Sequence, residues 1–338
     1  MNKKIKLMLV GLSLVVLSGA FVGCGTKIEK GNKDNEIKTE KSEENYKEVS
    51  YVFDNGKEKA DVVIKKAPTR AVTLSQFMTE MLLALNLGDR MVGTALLDNP
   101  ILPQFKAAYD KIPVLKVAEG HSISKEAFMA TRPDFVSGWE ASISADTTGT
   151  AQELVSEGIA PFMAKSAGPD ATIDTVYEDF AMLGRIFNVE DNANSVITQM
   201  KNRIAQIEKE VRKKSENEKV KVLIYDSGEK DAMVVGGGLP NNLVTLAGGK
   251  NVFGDLNKPY ETVSFESIVK KNPDVIIVTD YLAGKPAKEK IDFLKNNPAL
   301  KDVTAIKNNN IHVIGLADLS PGIRNASAIE AMNSMFYK

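Results

Sequence analysis

The chain has 338 residues, of which 43% are apolar and 26% are charged, and its formal net charge is −1. This length allows two domains with separate cores, and the near-neutral charge argues against a nucleic-acid partner, whose binders carry a marked basic excess. The chain has one cysteine and two histidines. This excludes an intrachain disulfide and a cysteine metal cluster, and it removes most histidine-rich zinc sites.

The first 23 residues have the layout of a secretory signal peptide. Lysines precede a nearly unbroken apolar run over residues 7–22, which is shorter than the ~20 residues of a membrane-spanning helix. The run ends in small residues before Cys24, and this ending resembles a bacterial lipobox, in which the cysteine after the cut carries the lipid. We therefore expect removal of residues 1–23, a lipid anchor on Cys24, and an exported protein held on the outer face of the cell membrane.

Residues 24–48 are rich in Lys, Glu and Asn and have almost no apolar side chains. Such a segment cannot bury enough surface to fold, so we interpret it as a disordered tether between the membrane and the folded part. A partner-binding tail is the alternative interpretation.

From residue 49 onward the chain alternates strands with helices, which is typical of parallel βαβ units with helices on both faces of the sheet. An Asn-Gly turn joins the first two strands into a hairpin. The predicted strands are 49–53, 60–64, 70–74, 91–94, 113–115, 135–138 and 159–163, and the predicted helices are 76–87, 125–131, 151–156 and 171–187. We assign residues 49–188 to an N-terminal α/β lobe.

Residues 190–214 have apolar side chains at steps of three and four, which predicts one long amphipathic helix without an internal Gly or Pro. Asp191 or Asn192 is expected to cap its start, and its length is about 37 Å. We assign residues 189–216 to a rigid connection. Because a bend needs a Pro, a Gly or a bulge, closure of the two halves around this helix should be small.

Residues 217–338 form a second α/β lobe. Its predicted strands are 220–225, 231–235, 275–279 and 311–314, and its predicted helices are 242–246, 264–271 and 326–337, with a helical turn over 299–305.

A repeated motif stands on both sides of the long helix. Ser124, Glu126 and Pro133-Asp134 in the first half correspond to Ser264, Glu266 and Pro273-Asp274 in the second, 140 residues later (124 to 264). Each glutamate is near a predicted helix start, where the helix dipole favours an acid that faces solvent. Ordinary helix-start acids are the alternative, but the repetition favours a shared role.

Four stretches resemble one known family. Residues 68–74, 80–93, 246–253 and 321–324, together with the two repeat copies, are similar to the helical-backbone solute-binding proteins, which are the metal-chelate receptors of ABC importers. The resemblance covers residue 49 to the end. It implies an α/β fold of two Rossmann-like lobes joined by one long backbone helix, with the ligand cleft between the lobes, in a monomer that is no enzyme. Its partners would be a permease and an ATPase, and Glu126 and Glu266 match the acids that dock onto permease arginines.

Ligand pockets of open α/β sheets lie beyond the carboxyl ends of the strands. That rule places Trp139, Tyr225 and Tyr281 at the cleft, and His121 and Tyr260 are in loops before the repeat copies. Trp139, Tyr225 and Tyr260 also match aromatic positions of the cobalamin-binding relatives, with a place in the core as the alternative.

The family likeness also bears on Arg324 and on the ligand. Arg324 matches an arginine that siderophore-binding relatives use on an anionic chelate, and the alternative is a salt bridge that closes the last loop. The resemblance favours a ferric siderophore or another Fe(III) chelate. Haem, bound through His121 or a tyrosine, and a corrinoid stay open, although Leu97 and Ala118 replace aromatics of the cobalamin-binding relatives.

The chain offers little for other classes of function. Two histidines in separate halves do not make a bare-metal site, and no cofactor beyond the lipid is expected. Glycines 236–238 fit neither the P-loop nor the dinucleotide fingerprint, and the nucleophile-elbow motif is absent from the sequence. A lipid-anchored sensor or an enzyme on the same fold is the remaining alternative.

Overall fold

The computed structural model of the protein describes residues 46–117, 123–213, 215 and 218–337. The predicted signal peptide, Cys24 and His121 lie outside the described residues. Tyr46, which the sequence assigns to the tether, packs against the folded core, and its hydroxyl donates a hydrogen bond to the carbonyl of Ile186 at 3.0 Å.

The N-terminal lobe contains a four-stranded parallel sheet with strand order β4-β3-β5-β6, and the hairpin β1–β2 stands beside it. All residues of the two central strands, β3 and β5, are buried, as expected for a parallel sheet covered by helices on both faces. The strands are β1 Val49–Asp54, β2 Lys59–Ile64, β3 Ala71–Leu74, β4 Met91–Thr94, β5 Phe135–Gly138 and β6 Ala160–Phe162; the helices are α1 Gln76–Ala84, α2 Lys106–Tyr109, α3 Lys125–Ala130, α4 Ala151–Ser156 and α5 Ile173–Phe187.

The C-terminal lobe contains a six-stranded mixed sheet with the order β10-β8-β7-β11-β12, and β9 pairs with β7. Strands β7, β11 and β12 are parallel, whereas β8 is antiparallel to both of its neighbours. The strands are β7 Val220–Ser227, β8 Ala232–Val235, β9 Gly249–Asn251, β10 Tyr260–Val263, β11 Val275–Asp280 and β12 Ile311–Gly315; the helices are α7 Gly238–Leu246, α8 Phe265–Lys271, α9 Ala287–Asn296, α10 Thr304–Lys307, α11 Leu316–Leu319 and α12 Asn325–Tyr337.

The long helix α6, Glu190–Val211, joins the two lobes and has 22 residues. At ~1.5 Å per residue it is about 33 Å long, a little shorter than the sequence indicates. The prediction of its cap was wrong: Val189 stands at the N-cap and no side chain caps the helix. Asn192 instead donates a hydrogen bond to the carbonyl of Leu85 at 2.9 Å, which ties the helix to the N-terminal lobe.

The apolar stripe of α6 is buried against α5 from one lobe and α7 and α12 from the other. Ala193, Val196, Met200 and Ile204 are its buried residues. At the α5 contact, a Cβ on Gly184 would lie 2.7 Å from the Cβ of Ala193, so the two helices approach as closely as a glycine permits. One continuous core therefore extends from the N-terminal sheet through α6 to β7 and α12.

The expected α/β class, with two sheets joined by one long helix, is confirmed, and the differences are local. Helix α1 ends at Ala84 rather than at residue 87, because Asn86 adopts a positive φ of 61°. The strand predicted over 113–115 is only an isolated bridge between Thr94 and Val114. Strands β9 and β10 and helix α9 were missed; the two strands have only three and four residues, too few to show a clear apolar alternation. Among the described residues, no helix is long and apolar enough to cross a membrane.

The core shared through α6 leads to a first prediction. Met200 is 1% exposed, so Met200→Ala leaves a cavity between the lobes and should lower the free energy of unfolding by about 2–5 kcal/mol. Chemical denaturation followed by circular dichroism measures this. The control is Gln206→Ala at an exposed position of α6, which should stay within about 0.5 kcal/mol. Equal effects of the two substitutions would contradict the assignment of α6 as a core element.

Candidate ligand cleft and docking residues

The two repeat copies begin in the same way in the structure. Ser124 caps α3 by accepting a hydrogen bond from the Ala127 amide at 3.1 Å, and Ser264 caps α8 by accepting one from the Ser267 amide at 3.2 Å. Glu126 and Glu266 lie in the first turns of these helices and are exposed. Within the described part of the chain, neither carboxylate forms an ion pair, so both are available to a basic partner.

The two copies also end in the same way. Asp134 accepts a hydrogen bond from the amide of Arg70 at 2.8 Å, and Asp274 accepts one from the amide of Lys221 at 3.0 Å. The side chains of these two basic residues then donate to the carbonyls at the ends of α3 and α8: Arg70 to Arg132 at 2.7 Å and Lys221 to Asn272 at 2.7 Å. Each glutamate-bearing helix is therefore fixed to the start of a central strand.

A pocket of about 360 Å³ lies between the lobes, and residues of both form its walls. Trp139 follows β5 and Tyr260 begins β10, and both line this pocket. The lining residues are Trp139, Ser166, Ala167 and Gly168 from the N-terminal lobe and Leu239, Pro240, Lys258, Pro259, Tyr260, Leu319, Ser320 and Pro321 from the C-terminal lobe. The pocket is thus mostly apolar, with two aromatic side chains and one charged residue among the described residues that line it.

Gly138, which precedes Trp139 in the chain, and Phe77, which packs against its ring, position Trp139. A Cβ on Gly138 would lie 2.9 Å from the Cβ atoms of Leu74 and Ser142, so only glycine fits before the tryptophan. The indole packs edge-on against Phe77 of α1, with ring centroids 4.7 Å apart, and 36% of the residue stays exposed. The structure therefore places Trp139 in the cleft, as the position after β5 predicts.

Asp179 of α5 holds the turn that supplies the N-terminal wall of the pocket. It is 2% exposed and accepts hydrogen bonds from the amides of Lys165 and Ser166, both at 2.9 Å, and from the Ser166 hydroxyl. Burial raises the pKa of Asp179 to about 6, although these donors favour the ionised form. Sequence reasoning missed this residue, because an aspartate inside a helix gives no sign of the loop it contacts.

The three tyrosines predicted for the cleft line two different pockets, and Tyr260 lines the one between the lobes. Burial raises the pKa of Tyr260 well above its usual value, and the charges of Asp226 and Asp98 add to the shift. Tyr225 and Tyr281 line a different pocket of about 410 Å³ in the C-terminal lobe. Tyr225 is 1% exposed and its hydroxyl donates to the carbonyl of Gly228 at 2.6 Å, so this geometry gives no support to a ligand contact through Tyr225.

Arg324 takes the alternative role that the sequence left open. Its guanidinium makes two parallel hydrogen bonds to Glu80, Nε to Oε2 at 2.6 Å and Nη2 to Oε1 at 2.7 Å, and a third to Asp318 at 3.2 Å. Only 10% of its side chain is exposed. The prediction of an anionic ligand on this arginine has no support here, because the carboxylate it faces belongs to the protein.

Sequence reasoning also missed most of the apolar lining. Leu239 and Pro240 follow the glycines 236–238, and Pro321 belongs to the stretch 321–324. Gly238 has a positive φ of 70° and lies against the carbonyl of Pro169, which brings α7 close to the N-terminal lobe. Within the described residues, no group of three or more His, Cys, Asp or Glu side chains is arranged to hold a metal ion.

Comparisons with known proteins agree with this architecture. Residues 72–316 match the family described as periplasmic binding protein. A curated relative from Bacillus subtilis (strain 168), the uncharacterized ABC transporter substrate-binding lipoprotein YvrC, is 27% identical over 301 residues, which cover 89% of this chain and 87% of the relative.

Two solved structures are similar over most of their length. A periplasmic binding protein from Veillonella parvula DSM 2008 is 31% identical, with a TM-score of 0.78, and the match covers 86% of this chain and 98% of that one. A possible iron-binding, periplasmic solute-binding protein from Staphylococcus epidermidis ATCC 12228 is 25% identical, with a TM-score of 0.66, and the match covers 81% of this chain and 100% of that one.

The raised pKa of Asp179 predicts a pH dependence of stability. The pKa of this aspartate is near its ordinary value of 3.8 when unfolded and about 6 when folded, so between these pH values the folded state binds more protons than the unfolded state. This group therefore lowers the free energy of unfolding as pH rises from about 4 to about 6. Asp179→Asn removes the titration, so the wild-type value should fall relative to that of the variant over this range.

Denaturant titrations at several pH values measure the difference. Asp174→Asn, which removes an exposed carboxylate from the same helix, is the control and should keep the wild-type pH dependence. A constant difference between wild type and Asp179→Asn across the range would show that Asp179 is not the titrating group.

Proposed function

The chain belongs to the periplasmic binding protein family, and we propose that it captures an iron chelate, a ferric siderophore in the first place, for delivery to an ABC importer. At the coarser level it is a substrate-binding protein of the ABC-importer type and not an enzyme. The observation that carries the proposal is the mostly apolar pocket between two lobes that present equivalent, exposed glutamates.

Glu126 and Glu266 are proposed to dock onto basic side chains of a permease. Each is held on a short, capped helix that is tied to a central strand of its own lobe, so the two carboxylates have a defined separation. Charge-assisted hydrogen bonds to such a pair fix orientation as well as adding affinity. A partner ATPase would then drive import through the permease.

The lining of the pocket supports a chelate that presents an uncharged surface. Trp139 and Tyr260 offer aromatic faces, and Lys258 is the one charged residue among the described residues of the lining. Because Arg324 is paired with Glu80, it does not supply a positive charge to the ligand. A ferric chelate of low net charge, whose polar donors point inward at the metal, matches these walls better than a polyanionic one. The similarity to the possible iron-binding protein of S. epidermidis supports iron.

Haem and corrinoids are the second candidates, because Trp139 and Tyr260 also suit a flat macrocycle. A tyrosine binds haem iron as the phenolate, and the raised pKa of Tyr260 opposes that ionisation. Haem binding would then require another axial ligand to the iron, and His121 is the residue that the sequence suggests for this role.

The anchoring of the protein is also part of the proposal. The lipobox-like ending before Cys24 supports a lipid anchor, and the B. subtilis relative is named as a lipoprotein. We place the protein on the outer face of the cell membrane, where a monomer reaches the permease on a tether that ends where Tyr46 packs against the core.

The docking role predicts a separation of binding from transport. Glu126→Ala combined with Glu266→Ala removes both carboxylates without touching the pocket, and each charge-assisted bond contributes about 1.5–3 kcal/mol. Uptake of radiolabelled ferric desferrioxamine by cells that carry only the variant should fall at least about tenfold, with unchanged binding by the purified protein.

The matched control for docking removes two exposed acids outside the repeat, one from each lobe: Glu157→Ala combined with Asp255→Ala. This control should import normally. Normal import by the Glu126/Glu266 variant would refute the docking role.

The ligand class is tested by fluorescence of Trp139, the single tryptophan of the chain. We expect ferric desferrioxamine to quench this emission, and Tyr260→Ala to weaken the binding by about 1–3 kcal/mol through loss of an aromatic wall, with less effect from Tyr260→Phe. A polyanionic ferric tricatecholate should quench less at the same concentration. Quenching by haemin or cyanocobalamin alone would select the second candidates, and no quenching by any probe would contradict the receptor function.

A further inference from the structure

Besides α6, a second group of contacts joins the two lobes. Glu80 lies on α1 of the N-terminal lobe and Arg324 lies just before α12 of the C-terminal lobe, 244 residues later in the chain. Their side chains are 2% and 10% exposed, so the pair is shielded from solvent. Arg324 also donates to the carbonyl of Pro100 at 2.7 Å, and Glu80 accepts a hydrogen bond from the amide of Leu102 at 3.0 Å.

The segment that follows β4 extends the same group of contacts. The side-chain oxygen of Gln76 accepts hydrogen bonds from the amides of Asp98 and Asn99 at 2.9 and 2.8 Å, which fixes the segment on the N-terminal lobe. Asn99 then donates to the carbonyl of Asp280 at 2.9 Å and accepts from the amide of Ala317 at 2.9 Å, both in the C-terminal lobe.

A backbone hydrogen bond completes these contacts: the amide of Leu282 donates to the carbonyl of Asp98 at 2.8 Å. We call Gln76, Glu80, Asp98, Asn99 and Arg324 the clasp. It reaches the C-terminal lobe at three places: after β11, on α11 and before α12.

The clasp is directly connected to both walls of the pocket. Phe77, against which Trp139 packs, follows Gln76 on α1. On the other side, Asp318 and Arg324 flank residues 319–321, which line the pocket. The clasp therefore connects the two walls of the pocket through adjacent residues.

We propose that the clasp fixes the width of the cleft, so that Glu80, Asn99 and Arg324 position the pocket walls without contacting the ligand. The pair of Glu80 and Arg324 suits this role, because its buried charges satisfy each other only while the lobes are together. The consequence for ligand capture rests on the receptor function proposed above. The mechanical role of the clasp does not, and it applies equally to the ligand-free protein.

Hydrogen exchange on the full-length, ligand-free protein tests the clasp. Glu80→Gln and Arg324→Lys weaken the buried pair with little change in shape, and the hydrogen bonds of Glu80 and Arg324 do not include the amides of Leu282 and Ala317. Loss of a hydrogen bond to a charged group changes the equilibrium constant for opening of the contact between the lobes by a factor of at least about ten. We expect the amides of Leu282 and Ala317 to exchange about tenfold faster or more, and the scattering profile to show a larger radius of gyration.

Asn99→Ala is the second variant, because it leaves the buried charges intact and should fold even if the charge variants do not. In this variant the Leu282 amide is the informative one, since its own acceptor, the carbonyl of Asp98, is still present. Faster exchange at Leu282 supports the clasp. Unchanged exchange at Leu282, in this variant and in every charge variant that folds, overturns it.

The matched control is Glu330→Gln, which breaks the ion pair of Arg203 with Glu330 between α6 and α12. This pair is much more exposed, with 44% and 37% of its side chains accessible, so the control should leave exchange at Leu282 and the scattering profile unchanged.

Binding of ferric desferrioxamine, followed by Trp139 fluorescence, should weaken about tenfold in the clasp variants. If the wild-type protein binds no probe, the receptor function fails while the exchange and scattering results still decide the clasp.

Discussion

Both lobes bury apolar surface against the same helix, and this shared burial is the constraint on which the rest of the structure depends. The buried residues of α6 belong to one core with the N-terminal sheet, β7 and α12. Each fully buried aliphatic side chain contributes about 1.5–3 kcal/mol, so a rotation that lifted either lobe from the helix would cost a large part of a protein's typical stability. The close approach of Gly184 to Ala193 shows that α5 and α6 are packed tightly against each other. The cleft is thus formed by two bodies that share one core, and this shared core supports the prediction that closure around a ligand is small.

Much of this arrangement is readable in the sequence, because it is local. The apolar steps of α6 predict its buried face, and the repeated serine, glutamate and Pro-Asp pattern predicts two equivalent helix–strand units. The structure shows what that pattern does: the aspartate receives the neighbouring strand's amide, and Arg70 or Lys221 satisfies carbonyls at the helix end. The position of Trp139 after β5 follows from the same local reasoning, since parallel strands end on one side of a sheet.

What the sequence did not reveal depends on contacts between distant residues. Glu80 and Arg324 meet across 244 positions, and nothing near either residue identifies the other. The sequence around Asp179 likewise does not indicate its partners, because the amides it binds lie on a loop that only the tertiary fold brings to α5. The prediction of a ligand contact for Tyr225 lacks support for a related reason. The end of a strand faces the cleft side of the sheet, but the direction of each side chain is set by tertiary packing, and Tyr225 is buried in the smaller core of the C-terminal lobe beside a second pocket. The prediction that Asn192 caps α6 was wrong because the Asn192 side chain instead donates a hydrogen bond to the carbonyl of Leu85, beyond the end of α1.

The pairing of Arg324 also decides the chemistry of the cleft. A guanidinium that holds the lobes together through Glu80 is not free to bind an anion, and withdrawing it would leave a buried carboxylate uncompensated, at a cost of about 3–5 kcal/mol. A hydrogen bond to a charged ligand returns about 1.5–3 kcal/mol, so the exchange is unfavourable. The arginine therefore stays with the protein, and the described pocket lining is left to aromatic and aliphatic groups, with Lys258 at its exposed edge. Under the proposed function, recognition inside the cleft would depend on shape and on contact with ring faces, whereas the carboxylates of Glu126 and Glu266 lie on the exposed first turns of α3 and α8. Under the proposed function this division has a physical advantage, because a charged partner would bind the outer surface without competing for the groups that line the pocket.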